Sequence, residues 1–252
     1  IPAMAVALSS SCNSWGSLEK ALPSAASPSA VGPKVVDSVL TRNEPTYSSD
    51  VLTLFRERNG WCPYSQRVWL GLESKGVPFD TVLIDNMGER PGWYRGTTPQ
   101  VRWSDGRTED ESLDILRALD DEFPDAPPLY PPGREEEVER LCGEFRKCFP
   151  KGTRPSSRAA FLFRSGGANS PVFRGDFEAA LDATDALLAE ASSGGRGGPF
   201  FLGDTFSLFE IALAPFWQRF LWVGSHYRGL AFPDEPAICM LCGELLCAGS
   251  QC

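Results

Sequence analysis

Apolar positions fall into two regimes along the chain. From Val51 to about Phe123 they come in short runs. "VLTLF" at 51–55 is of β type, and in "PFDTVLID" Phe79, Thr81 and Leu83 alternate with Val82 and Ile84 on the opposite face. Between these runs the pattern from Pro63 to about Lys75 predicts a helix. Pro63 suits its first turn, and Gly76 suits a left-handed stop. "QVRW", the turn "SDGR" and a short strand around Arg107 and Thr108 predict a β-hairpin. "ESLDILRALDDEF" predicts a helix with Leu113, Leu116 and Leu119 or Asp120 one turn apart, stopped by Pro124. The order is β-α-β, a connection, β-β, then α.

Beyond the Pro-rich "PDAPPLYPPG" only helical patterns occur. "REEEVERLCGEFRKCF" places acids in a first turn and Val138, Leu141, Phe145 and Cys148 on one face. "DFEAALDATDALLAEA" repeats the spacing at Phe177, Leu181, Thr184 and Leu188. In "FSLFEIALAPFWQRFLWV", Ser207 and Glu210 form a capping box, with Phe206 and Ile211 placed as a hydrophobic staple. That helix is apolar nearly all round, so it should lie at the centre of its domain. The division is therefore an α/β domain at 46–124, a linker at 125–133 and an all-α domain at 134–237. Residues 1–45, rich in Ala, Ser and Pro, read as a disordered leader or a transit peptide. The location expected is cytoplasmic, or a plastid if the leader is a transit peptide.

Composition narrows the function. The chain has 252 residues, 42% hydrophobic and 23% charged, as in a soluble globular protein. No run is apolar enough to span a membrane: the best candidate, "FEIALAPFWQRFLWV", is broken by Gln218 and Arg219. A net charge of −9 argues against a nucleic-acid partner. Arg56, Arg58, Arg67, Arg90, Arg95, Arg102 and Arg107 are scattered and read as a solvated surface. The lone His226 reads as structural, which leaves histidine acid–base chemistry and a multi-His metal site unsupported.

Of the eight cysteines, Cys62 has the most informative surroundings. "WCPYS" places it directly before the predicted helix, where unpaired N–H groups and the helix dipole stabilise a thiolate. Pro63, Tyr64 and Ser65 make up the supporting helix start. Ser65 stands where a second, resolving cysteine would complete a C-x-x-C pair, so resolution would fall to an external thiol. Taken alone, the site reads either as this one-thiol chemistry or as a structural cysteine.

A β-α-β unit followed by a hairpin, with Pro99 just before the third strand, is a thioredoxin-like layout. With "CPYSQRVWLGLESKG", "RPGWY", "ESLDILRALDDEF" and "FFLGDTFSLFEIALAPF", the chain resembles the glutathione transferase superfamily from about Val51 to Pro236. The likeness is to its cysteine-type members: the lambda class, the omega class and the dehydroascorbate reductases.

This resemblance implies a thioredoxin-like glutathione-binding domain followed by an all-helical domain. It implies Cys62 as catalytic cysteine, Pro99 as a cis-proline, and Thr98 pairing its backbone with glutathione's cysteinyl part. Glu111 and Ser112 would bind the γ-glutamyl end. Glutathione is then the co-substrate, with a small disulfide or electrophile as partner, no metal, no nucleic acid, no membrane, and a monomer or homodimer. A conjugating transferase and a non-catalytic binding protein on the same scaffold are the alternatives.

Three features depart from the family, one being Thr98 where a hydrophobic residue usually precedes the cis-proline. "RGT" before Thr98 is a short connection, so part of the glutathione cradle would be rebuilt. The end, "ICMLCGELLCAGSQC", has C-x2-C-x4-C-x4-C spacing, but with no second knuckle and no nearby His it reads as an aberrant or truncated tail at 238–252.

Overall fold

The structure is a computed structural model that describes residues 34–148, 171–193 and 200–229. The expected leader, apart from its last residues, and the Cys-rich tail lie outside the described residues. The elements in order are β1 (Val35–Asp37), α1 (Ser38–Thr41), β2 (Leu52–Glu57), α2 (Pro63–Lys75), β3 (Phe79–Ile84), β4 (Gln100–Arg102), β5 (Thr108–Asp110), α3 (Ser112–Glu122), α4 (Glu135–Cys148), α5 (Pro171–Ser193) and α6 (Leu208–Arg228). The sheet order is β1-β3-β2-β4-β5. β1, β3 and β2 run parallel, and the β4–β5 hairpin is joined through β4, antiparallel to β2. This is a thioredoxin-like domain followed by helices, as the sequence predicts.

The sheet is wider than the sequence reading made it. β1 lies inside the segment set aside as leader, with Val35 beside Thr81 and Asp37 beside Leu83. Three residues are too few for a readable alternation. What fixes the strand is remote: Arg58 Nε donates to Asp37 Oδ2 at 2.7 Å.

Both faces of the central strands are covered. Leu52 and Leu54 pack under Val68 and Leu72 of α2 and Ile115, Leu116 and Leu119 of α3. Phe55, Val82, Ile84 and Tyr94 form the other face. α3 buries Ser112, Ile115, Leu116 and Leu119, while Leu113 is only partly covered, a face shifted from the expected 113-116-119 stripe. A Cβ at Gly71 would lie 2.3 Å from Leu116 Cδ2, so this glycine lets α2 and α3 close on each other.

The helical part continues the same core through Val138, Leu141, Phe145, Phe177, Phe209, Phe216, Trp217 and Phe220. α6 is buried at every position from Leu208 to Trp217. Its start is the expected capping box: Glu210 Oε2 accepts from the Ser207 N–H at 2.9 Å and Oγ at 2.6 Å. Glu210 Oε1 accepts from the Phe201 N–H at 3.0 Å, which ties the preceding turn to the helix.

The linker is anchored by one carboxylate. Asp120 accepts from Lys75 Nζ at 2.6 Å and from the N–H groups of Leu129 and Tyr130. Lys75 has a side chain only 1% exposed and also donates to Pro127 O. Removing one partner of such a buried pair costs about 3–5 kcal/mol, so the linker is held firmly against α2 and α3.

Candidate active site

Cys62 is placed by the turn that leaves β2. The Glu57 carboxylate accepts from the N–H groups of Asn59 (2.8 Å) and Trp61 (2.7 Å). Gly60 takes the left-handed conformation this turn needs (φ 73°). From α6, Arg219 Nη2 donates to the carbonyls of Gly60 (3.0 Å) and Trp61 (3.2 Å), while Nη1 donates to Gln66 Oε1 (2.7 Å) and Pro215 O. The approach to the thiol is therefore gripped from both sides.

Cys62 is the N-cap of α2, with Pro63 in the first turn. Its Sγ accepts from the Ser65 N–H at 3.5 Å, and its S–H faces Thr98 O at 3.6 Å. The Thr98–Pro99 bond is cis. Three groups hold this turn. Asn86 Nδ2 donates to Thr98 Oγ1 at 2.5 Å. Asp110 Oδ1 accepts from the Thr97 N–H (3.3 Å) and Oγ1 (3.1 Å). The Tyr94 hydroxyl donates to Thr97 O. Burial, then the Asp110 carboxylate, push the Tyr94 phenol up, so it stays a donor. Arg90 closes the short connection by donating to Asn86 Oδ1 and Gly96 O. This network holds the short connection noted in the sequence.

Glu111 and Ser112 begin α3. Pairing of Gln100 with Asp110 sets them beside Pro99 across the hairpin. Glu111 adopts φ 69°, ψ 109°, a left-handed conformation that costs a non-glycine residue about 1–3 kcal/mol. Its exposed carboxylate makes no hydrogen bond or ion pair among the described residues, and it does not cap its own helix. Ser112 is buried.

The other helix-start residues divide. The Tyr64 ring packs edge-on against Phe216 at 5.3 Å, with the Arg67 guanidinium over both rings. Arg67 is buried, contrary to the solvated-surface reading, and its Nε donates to Ala212 O at 2.7 Å. Burial pulls this guanidinium below its usual range. Tyr64 thus serves the contact with α6. Ser65 is buried beside the thiol.

A cavity of about 340 Å³ opens on the α6 side of Cys62, lined by Arg56, Cys62, Ser65, Gln66, Gln218 and Arg219 among others. Thr98, Pro99, Glu111 and Ser112 do not line it. The thiol therefore stands between two regions, one shaped by the Thr98–Pro99 turn and the start of α3, the other by α6. Sequence reasoning missed Arg219, Gln218 and Arg56. The first two look like mere interruptions of an apolar run, and that interruption is the one local signal they leave. His226 is exposed at the end of α6, against Tyr227. Among the described residues no group of three His, Cys, Asp or Glu side chains is arranged to hold a metal, and no helix is long and apolar enough to cross a membrane.

The fold is that of the glutathione S-transferases in its neighbours, and residues 61–122 match the family model for the N-terminal domain of glutathione S-transferases. The chain is 32% identical over 171 residues to protein IN2-1 homolog B of Oryza sativa subsp. indica, covering 63% of this chain and 62% of that relative. It is 28% identical over 180 residues to glutathione S-transferase DHAR2 of Arabidopsis thaliana, covering 70% and 75%. The chain thus spans about three-fifths of the rice relative's length. Glutathione transferase Omega 3C from Trametes versicolor shares the fold at TM-score 0.61 and 24% identity, over 82% of this chain and 83% of that one.

Proposed function

We propose that the protein is a glutathione-dependent thiol transferase or reductase working through Cys62 alone. The observation that carries this reading is the position of Cys62 Sγ. It sits at the first turn of α2, accepting an N–H, and within 3.6 Å of the Thr98 carbonyl beside a cis-proline. Glutathione docks with its cysteinyl backbone on Thr98, whose carbonyl then accepts the ligand's N–H instead of the Cys62 S–H. Glu111 takes the ligand's ammonium. The open N–H groups at the start of α3 and the Ser112 hydroxyl take its α-carboxylate.

The Cys62 thiolate attacks the glutathione sulfur of a mixed disulfide. That S–S bond breaks, the other thiol leaves as thiolate and gains a proton from solvent, and Cys62 carries glutathione. Ser65 cannot resolve this adduct. The thiolate of a second glutathione attacks the adduct's glutathione sulfur, releasing glutathione disulfide and the Cys62 thiolate. Relatives named chloroplastic and cytosolic both match the chain, which supports a plastid or cytoplasmic location.

The test is a three-way assay with wild type and Cys62→Ser: reduction of a mixed disulfide, reduction of dehydroascorbate, and conjugation of a model electrophile. Glutathione-dependent reduction abolished in Cys62→Ser is the expected result. Conjugation by wild type with no reduction of either substrate rejects it.

A further inference from the structure

The cavity beside Cys62 holds donors that the chemistry above does not use. Ser65 is 4% exposed, and its Oγ has no hydrogen-bond partner among the described residues. Arg56 is half-buried. Its guanidinium lies 4.6 Å from the centre of the Trp69 ring and donates to Glu57 O at 3.2 Å, with no ion pair among the described residues. The other charged groups lining the space are committed. Both Glu57 oxygens accept loop N–H groups, and both Arg219 terminal nitrogens donate to Gln66 or to carbonyls. Arg56 makes no ion pair among the described residues, because the one carboxylate near it, Glu57, is spent on loop N–H groups. Such a half-buried cation, beside a buried hydroxyl without a partner among the described residues, is matched by an anion with several acceptor oxygens.

We propose that this cavity is the second-substrate subsite and selects a small thiol compound bearing a carboxylate, held by Arg56 with Ser65 Oγ as the second donor. The inference rests on the thiol-transfer reading and adds the substrate class. The substrate is R–S–S–glutathione with a carboxylate on R. Its glutathione half lies toward Thr98 and Glu111, and R lies between Arg56 and Ser65. Attack of Cys62 on the glutathione sulfur expels R–S⁻ into the cavity, where solvent protonates it. A volume of about 340 Å³ fits a small R group. The net charge of −9 repels anions, so a preference for them must arise locally.

The experiment uses the mixed disulfides of glutathione with mercaptopropionate, mercaptoethanol and cysteamine, which hold the glutathione half constant. Wild type should favour the carboxylate over the hydroxyl by about tenfold in kcat/KM, with the amine lowest, and Arg56→Gln should bring all three within about twofold. Equal rates in wild type overturn the subsite while leaving thiol transfer standing. A second measurement needs no glutathione: alkylation of Cys62 by iodoacetate against iodoacetamide, located by peptide mapping and normalised to a free thiol. A ratio favouring iodoacetate by about tenfold, lost in Arg56→Gln, supports the subsite even if no disulfide is reduced, which would remove only the thiol-transfer reading. A ratio at or below that of the free thiol overturns it.

Discussion

Arg219 Nη2 donates to the carbonyl of Trp61 at 3.2 Å, joining positions 158 residues apart. The Trp61 N–H is held by Glu57, so the backbone just before Cys62 is fixed on both sides while the Trp61 ring stays 70% exposed. Removing the guanidinium frees four acceptors at once. We expect Arg219→Ala to lower kcat/KM by about tenfold, equivalent to about 1.4 kcal/mol, and to reduce Tm. Arg219→Lys should not restore activity, because a single ammonium cannot span Gln66 and three carbonyls. Steady-state kinetics with thermal melts on both variants check this; full rescue by lysine would show that charge alone matters.

Glu111 combines a strained backbone with a carboxylate that is unpaired among the described residues. Neutralising the side chain without changing its size should act on ligand binding and leave the fold alone. Glu111→Gln is expected to raise the KM for glutathione about tenfold with kcat little changed, the loss of one charge-assisted contact of about 1.5–3 kcal/mol at its lower end. An unchanged KM would remove Glu111 from the binding site.

Ser65 supplies the N–H that Cys62 Sγ accepts, so its side chain starts one helical turn from the thiol. Ser65→Cys should let the protein resolve its own adduct. After exposure to glutathione disulfide, the variant should carry an internal disulfide between Cys62 and the introduced thiol, whereas wild type retains a glutathione adduct. Intact-mass spectrometry distinguishes the two.

Cys142 is the opposite kind of cysteine. Burial, and next the Glu139 carboxylate, push its thiol up to about 12. An unfolded thiol ionises near 8.5, so the folded state binds the extra proton above that pH. The stabilising contribution is complete below about pH 8.5 and is lost as pH rises toward 12. At about pH 8, below that window, maleimide should modify Cys62 in the native protein and reach Cys142 only after denaturation. Cys142→Ala should flatten the alkaline limb of the stability curve.

What the sequence disclosed follows from how far each signal reaches. α2 was legible end to end because Pro63 and Gly76 act within one turn, and the Ser207–Glu210 box because it spans three residues. The Thr98–Pro99 turn followed from the family resemblance. β1 was not legible: its partner is Thr81–Leu83, and three residues show no period. The grip of Arg219 on the Cys62 turn was equally hidden. Between positions 60 and 219 no local pattern exists, and a charge inside an apolar helix carries no mark of the carbonyls it will meet. Arg67, read among surface charges, is buried because Ala212 O and two aromatic rings receive it.

The most direct test of the central claim is peptide mapping of the protein after incubation with glutathione disulfide, followed by release with glutathione. The prediction is one glutathione on the peptide containing Cys62, discharged as glutathione disulfide, with no turnover in Cys62→Ser. Turnover that persists in Cys62→Ser, with no adduct ever found at Cys62, would contradict it.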